Sequence, residues 1–157
     1  MTATGPILNI VLHQPEIPGN TGAVGRTCVA IGAKLWLVRP LGFRIDQKTL
    51  RRAGLDYWRH LDWEVADHWD DLLEKHRPAR LFYFSRFATR SFSEARFERG
   101  DTLVFGCETS GLPSSLTDSA GDCLLRIPTT GKVRSLNLSC SVGVAAFEAA
   151  RQLGFEF

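Results

Sequence analysis

Short apolar, β-rich runs recur along the chain at residues 7–13, 34–38, 81–84, 103–105 and 124–127, with a shorter one at 63–65. Strands apolar on successive residues must be covered on both faces, and helical periodicity fills the gaps between several of these runs. The alternation predicts an α/β fold, a mostly parallel sheet covered by helices. Four helical segments follow from the spacing. In the first, Asn20 reads as an N-cap, Val24, Cys28 and Ile31 recur on one stripe with Arg26 off it, and Gly32 is the stop. Asp46 begins a short second helix reaching about Gly54. The third covers 67–76 with Trp69, Leu72 and Leu73 inward. The last covers 137–153, with Leu138, Val142, Ala145, Ala149 and Leu153 on one stripe and Gly154 beyond it. Residues 86–100 are polar and read as a mobile loop or a short amphipathic helix with a loop.

With 157 residues, 44% of them hydrophobic, the chain has material for one core, so residues 1–157 are expected to form a single domain. No apolar stretch approaches the roughly 18–20 residues of a membrane span, and residues 1–6 lack a basic and apolar leader pattern. These features predict a soluble, cytoplasmic protein. Cys28, Cys107, Cys123 and Cys140 form no C-x-x-C pair, so reduced thiols are expected, with Cys28 and Cys140 as small buried apolar groups within helices.

The motif inventory narrows the chemistry. Gly19-x-x-Gly22-x-x-Gly25 lacks the close glycine pair of a dinucleotide-binding turn, and no Walker A pattern is present. His13, His60, His68 and His76 form no metal-ligand motif, so no metal is expected. What remains is a set of glycine-bearing loops placed after strand-like runs, where α/β proteins gather backbone groups around ligands. Arg26 lies in the first turns of a helix, and both a helix N-terminus and an arginine favour anions. Glu108, in a glycine-flanked loop, has the chemistry to orient or deprotonate a hydroxyl. Cys107 in that loop also permits a thiol-nucleophile reading, although no histidine is tied to it by sequence. Arg44, Lys48, Arg51 and Arg52 follow helical spacing and gather positive charge on one face, although the formal net charge is only +2. Arginine supplies 15 of the 19 basic residues, a bias suited to phosphate but weak evidence alone.

Three ordered motifs then carry a resemblance: Asn20-Thr21-Gly22 to Arg26; Phe105-Gly106-Cys107-Glu108 to Gly111-Leu112-Pro113; and Ile127-Pro128 with Ser135-Leu136-Asn137-Leu138-Ser139. The chain resembles SPOUT-superfamily methyltransferases of the SpoU class over nearly its whole length. Pro15-Glu16-Ile17-Pro18, Pro40-Leu41-Gly42-Phe43 and residues 51–58 look like the small TrmL type, which methylates wobble nucleotides of tRNA on the ribose 2'-oxygen.

The resemblance implies a C-terminal trefoil knot, an exception to the rule of unknotted chains. It implies S-adenosylmethionine as cofactor, lined by Phe84, Gly106, Ile127, Ser135 and Leu136, and a homodimer whose site draws on both subunits. It assigns catalysis to Arg26, with Asn20, Glu108, Ser135 and Asn137 orienting the nucleotide or passing the proton. A guanidinium stays protonated in proteins, so clamping a phosphate and stabilising developing alkoxide is the more economical role for Arg26. The anticodon loop of tRNA is the implied partner, met by Arg44, Lys48, Arg51 and Arg52, with Arg86 and Arg90 secondary. Departures from the pattern are Cys107 and Ser110 in the second motif and Phe147 where a tyrosine is common. The rival readings are methylation of another tRNA or rRNA nucleotide and a noncatalytic RNA-binding relative.

Overall fold

The computed structural model describes residues 4–46 and 56–157. Seven strands alternate with helices: β1 (Asn9–His13), α1 (Pro18–Ile31), β2 (Lys34–Val38), β3 (Trp63–Ala66), α2 (Trp69–His76), β4 (Leu81–Phe84), β5 (Arg90–Ser91), β6 (Thr102–Phe105), α3 (Ser114–Thr117), β7 (Leu124–Arg126) and α4 (Leu138–Gln152). Short 3-10 turns occupy Asp56–His60, Phe92–Glu94 and Gly121–Cys123. The strands form one sheet in the order β3-β2-β1-β6-β4-β7-β5, and every adjacent pair is parallel.

The pleat explains why the central strands are apolar on successive residues. Ile10, Leu12, Leu35 and Leu37 point into one buried cluster with Val24, Cys28 and Ile31 of α1 and Val142, Ala145 and Ala149 of α4. Val11, Trp36 and Val38 point into a second cluster with Leu72 of α2. The helix stripes therefore fall where their spacing places them: α1 and α4 cover one face together, in contact with each other, and α2 covers the other. The order reverses at β1, whose neighbours are β2 on one side and β6 on the other. In open α/β sheets such a reversal leaves a crevice at the carboxyl ends of the strands.

Helix ends follow from local chemistry. Gly32 closes α1 at φ 74°, donating its N–H to the Cys28 carbonyl, a conformation natural to glycine. His68 caps α2 by accepting from the Asp71 N–H at 3.1 Å. Asn137 caps α4, its side chain accepting from the Ser139 and Cys140 N–H groups at 2.9 and 3.4 Å.

Three expectations require correction. Asn20 does not cap α1, which starts at Pro18 because proline tolerates the first turn; Ile17 occupies the cap position without a side-chain cap. The polar segment 86–100 contains β5, a two-residue edge strand paired with β7. Two residues are too short to show a period, and Arg90 and Ser91 have weak strand propensity. Cys140 is exposed, whereas Cys28 is buried as expected. Helical position alone did not separate them, because Cys140 lies off the α4 stripe. The helix expected from Asp46 to Gly54 falls mainly outside the described residues.

Burial pushes the Cys28 thiol up to about 12, which keeps it protonated and unreactive. An alkylating reagent is expected to leave Cys28 unmodified in native protein and to label it only on unfolding, as read by mass spectrometry of digests. A second prediction concerns acid. His13 is buried edge-on to Trp69, and His76 lies on Trp36 with its Nε2 2.7 Å from the Thr102 hydroxyl. Burial lowers both imidazoles from the ordinary 6.5. The unfolded chain then binds more protons than the native one between 6.5 and the lower native values, so stability falls as pH drops through that window and levels off below it. Urea midpoints should decline from pH 7.5 to 5.5, and a His13→Gln/His76→Gln pair should flatten the decline.

Candidate active site

The loops following β4, β6 and β7 meet the start of α1 around a cavity of about 380 Å³, within the size range of small-molecule sites. Phe84 and Phe105, stacked at 4.6 Å, contribute apolar wall, and Ile127, Leu136 and Leu138 add more. Gly106, Cys107, Glu108, Ser135, Asn137 and Asn20 bring polar atoms to the same space.

The loop after β6 is folded tightly on itself. Gly111, at φ 68°, donates its N–H to the Cys107 carbonyl at 3.1 Å. Gly106 is packed against that return: a Cβ placed there would lie 2.1 Å from the Gly111 carbonyl carbon and 2.2 Å from the Leu112 nitrogen. Only a residue without a side chain permits this backbone approach.

Glu108 joins this loop to α1. Its carboxylate accepts the N–H groups of Glu16 and Ile17 at 2.8 and 3.1 Å and the Asn20 side-chain amide at 3.3 Å. Negative charge at a helix N-terminus is favourable, so Glu108 does the capping work from another loop that Asn20 was expected to do within its own helix. Glu16 returns the contact, accepting the Thr109 hydroxyl at 2.6 Å and the Thr109 N–H at 3.2 Å. The Thr109 hydroxyl, then the Cys107 thiol and the Thr109 N–H, hold the Glu16 carboxyl below its ordinary value.

The polar chain continues into the third loop. Asn20 accepts from the Asn137 amide at 3.0 Å, and Asn137 in turn accepts the Ser139 hydroxyl at 2.6 Å while capping α4. Arg134 adds a 3.4 Å contact to the Thr109 carbonyl. Segments more than a hundred residues apart in sequence are thus locked by one continuous set of hydrogen bonds. Ser135 lines the cavity and makes no hydrogen bond among the described residues, leaving its hydroxyl available to a ligand.

Not every expected site residue converges here. Arg26 is exposed on α1, does not line this cavity, and sits 5.6 Å from the centroid of Tyr57, whose hydroxyl donates to the Gly22 carbonyl at 2.5 Å. Arg86 lines the cavity; Arg90 does not, and its guanidinium donates to the Asp122 and Glu94 carbonyls. Arg44 is exposed, and Lys48, Arg51 and Arg52 lie outside the described residues. Cys107 Sγ faces the Ser110 hydroxyl at 3.0 Å, and no histidine lines the cavity. Among the described residues, no group of three or more His, Cys, Asp or Glu side chains is placed to hold a metal ion.

Sequence reading missed Glu16, Phe87 and Arg134 as site residues. The Pro15-Glu16-Ile17-Pro18 run, a carboxylate just ahead of a proline-started helix, was the available signal for Glu16. Nothing local marked Phe87, because only the fold brings the turn after β4 to the cavity.

Residues 7–147 match the SpoU rRNA Methylase family. A tRNA (cytidine(34)-2'-O)-methyltransferase from Burkholderia pseudomallei is 46% identical over 153 residues, covering 96% of this chain and 98% of the relative. A structure solved for insights into 2-OH methylation of C/U34 on tRNA superposes with TM-score 0.88 at 51% identity, over 95% of this chain and 97% of the other. An AdoMet-bound rRNA methyltransferase from Sinorhizobium meliloti superposes with TM-score 0.82 at 27% identity, over 97% of this chain and 58% of the other. The cavity's mix of apolar wall and close-packed backbone suits such a cofactor, which has both an apolar ring surface and polar groups to satisfy. By sequence and by a helix-wrapped parallel sheet of the SPOUT α/β-knot type, the chain belongs to the SpoU rRNA Methylase family.

Proposed function

We propose that this chain is an S-adenosylmethionine-dependent 2'-O-methyltransferase acting on the wobble cytidine or uridine, residue 34, of the tRNA anticodon loop. The observation that carries the reading is the hydrogen-bonded chain from Glu108 through Asn20 to Asn137, which assembles three separate loops around one ligand-sized cavity. Support comes from relatives of that activity at 46% and 51% identity over nearly the full length.

Bound here, S-adenosylmethionine would supply an electrophilic sulfonium methyl for the ribose 2'-oxygen, with a neutral thioether as leaving group and the hydroxyl proton released to solvent. No acid is needed at the leaving group. The protein's tasks are to aim the hydroxyl and to favour charge developing on its oxygen. Phe84, Gly106, Ile127, Ser135 and Leu136 would hold the cofactor. Glu108 and Asn137 already have their acceptor oxygens engaged, so their role is to fix the loops and the position of Asn20. Arg26, with no hydrogen bond or ion pair among the described residues, takes the role the resemblance gives it, binding the phosphate beside the target ribose and stabilising the alkoxide.

Because Arg26 lies away from its own chain's cavity, the complete site needs a second copy. Val144 and Phe147, 43% and 46% exposed, leave an apolar strip on α4, with Ile17 and Leu136 also exposed near the cavity. A homodimer covering this strip would supply Arg26 in trans. A tRNA substrate fits an enzyme of the cytoplasm. No helix of the described residues is long and apolar enough to cross a membrane.

Titration calorimetry with S-adenosylmethionine, paired with labelled-methyl transfer into total tRNA and into rRNA, tests the reading. One cofactor bound per chain and label confined to tRNA are expected. RNA binding without cofactor uptake, or label only in rRNA, would overturn it. Sedimentation should give twice the chain mass.

A further inference from the structure

Phe87 is the most exposed large apolar side chain among the described residues, 73% accessible, yet it lines the same cavity as Gly106, Ile127 and Leu136. It is not a loosely placed surface residue. The turn that carries it follows β4 and is tied down at three points: the Ser85 N–H donates to the Leu125 carbonyl at 3.0 Å, the Phe87 N–H to the Ser85 hydroxyl at 3.1 Å, and the Ala88 N–H to the Ser85 carbonyl at 3.2 Å. Ala88 is buried at 3% exposure, anchoring the far side of the turn. The neighbouring Arg86 guanidinium lies 4.3 Å from the Phe87 ring centroid.

A fixed aromatic ring in water, with a cation against it and a catalytic cavity beside it, has the properties of a stacking platform. Single-stranded RNA is held by base stacking on such rings and by cations on its backbone, in a way that tolerates sequence. A flat π-system is also present in the cofactor's adenine, but Phe84 and Phe105 already provide buried aromatic surface inside the cavity, whereas the Phe87 ring is largely in solvent. We infer that Phe87, with Arg86, stacks on an RNA base next to the methyl-accepting nucleotide and so positions that nucleotide at the cavity mouth. The inference rests on the reading of RNA as substrate.

The test uses the full-length protein, an anticodon stem-loop carrying 2-aminopurine on the 3' side of the wobble nucleotide, and the variants Phe87→Ala, Phe87→Leu and Phe87→Trp. Wild-type protein should quench the fluorophore on binding. Phe87→Ala and Phe87→Leu should lose the quench and raise KM for tRNA by roughly 5- to 100-fold, the range of one lost base stack. Their kcat at saturating tRNA and their S-adenosylmethionine Kd should stay at wild-type values, and Phe87→Trp should restore quench and KM. An unchanged tRNA KM in Phe87→Ala would overturn the inference while wild-type turnover leaves the function intact. A weakened cofactor Kd would overturn it by assigning the ring to adenine. Absence of tRNA methylation by the wild type would instead remove the functional reading itself, and the platform with it.

Discussion

Replacing Gly106 by alanine is expected to reduce S-adenosylmethionine affinity by at least about 100-fold, because the pocket wall itself must move to admit the methyl group. The nearest atoms to the added Cβ are all backbone: the Gly111 carbonyl carbon at 2.1 Å, the Leu112 nitrogen at 2.2 Å and the Gly111 Cα at 2.6 Å. No side-chain rotation relieves such contacts. The 106–112 loop would have to open, taking with it the Cys107–Gly111 bridge and the carboxylate of Glu108 that braces the start of α1. Overpacking of this kind costs about 1–3 kcal/mol of stability, so the fold should survive while the pocket does not. Calorimetry for the cofactor and urea denaturation for the fold separate the two. Wild-type cofactor binding by Gly106→Ala would show that the loop geometry is not what builds the pocket.

Arg26→Ala is expected to lower kcat for methyl transfer by about 100- to 1000-fold, the usual cost of removing one donor aimed at developing charge. Cofactor affinity should not change, since the role proposed for Arg26 is toward the RNA phosphate and the ribose oxygen and not toward the cofactor. Arg26→Lys keeps the charge but loses the planar fork, so it should recover only part of the rate. If Arg26→Lys kept wild-type turnover at saturating RNA, neither a bidentate clamp nor a base at this position would stand. Mixed dimers extend the test. An Arg26→Ala chain has an intact pocket, and a Gly106→Ala chain still carries Arg26. Random pairing of the two should restore about a quarter of wild-type activity from hybrid sites if the arginine acts across the dimer. Activity no higher than either variant alone would place Arg26 in its own chain's site.

What the residues revealed by themselves depended on how local the controlling physics is. Strands 34–38 and 81–84 were readable to the residue, because burial on both faces forces an unbroken apolar run. The α4 stripe was readable because its cap, Asn137, and its buried positions lie within one helix. Asn20 was misread because a polar residue before an apolar stripe looks like a cap, and nothing near it announces that Glu108 will supply the negative charge from another loop. The β5 edge strand escaped because its pairing partner, β7, lies more than thirty residues away and the strand is too short for periodicity. The same reason hides the reciprocal Glu16–Thr109 and Glu108–Ile17 contacts: each half is an ordinary surface carboxylate until the chain folds. Motif order grouped Phe84, Gly106, Ile127, Ser135 and Leu136, and all five line the cavity. Arg26 does not line that cavity, and the proposed shared site takes up the expectation, drawn from the resemblance, that both subunits contribute.

Delivery of a methyl group from this cavity to one ribose oxygen of tRNA can be read at the nucleotide itself. The most direct measurement incubates the protein with isotopically labelled S-adenosylmethionine and total tRNA, digests the RNA, and maps the labelled nucleotide by mass spectrometry. A single 2'-O-methylated cytidine or uridine at position 34 is expected. Label on a base, or on the ribose of any other nucleotide, would contradict it.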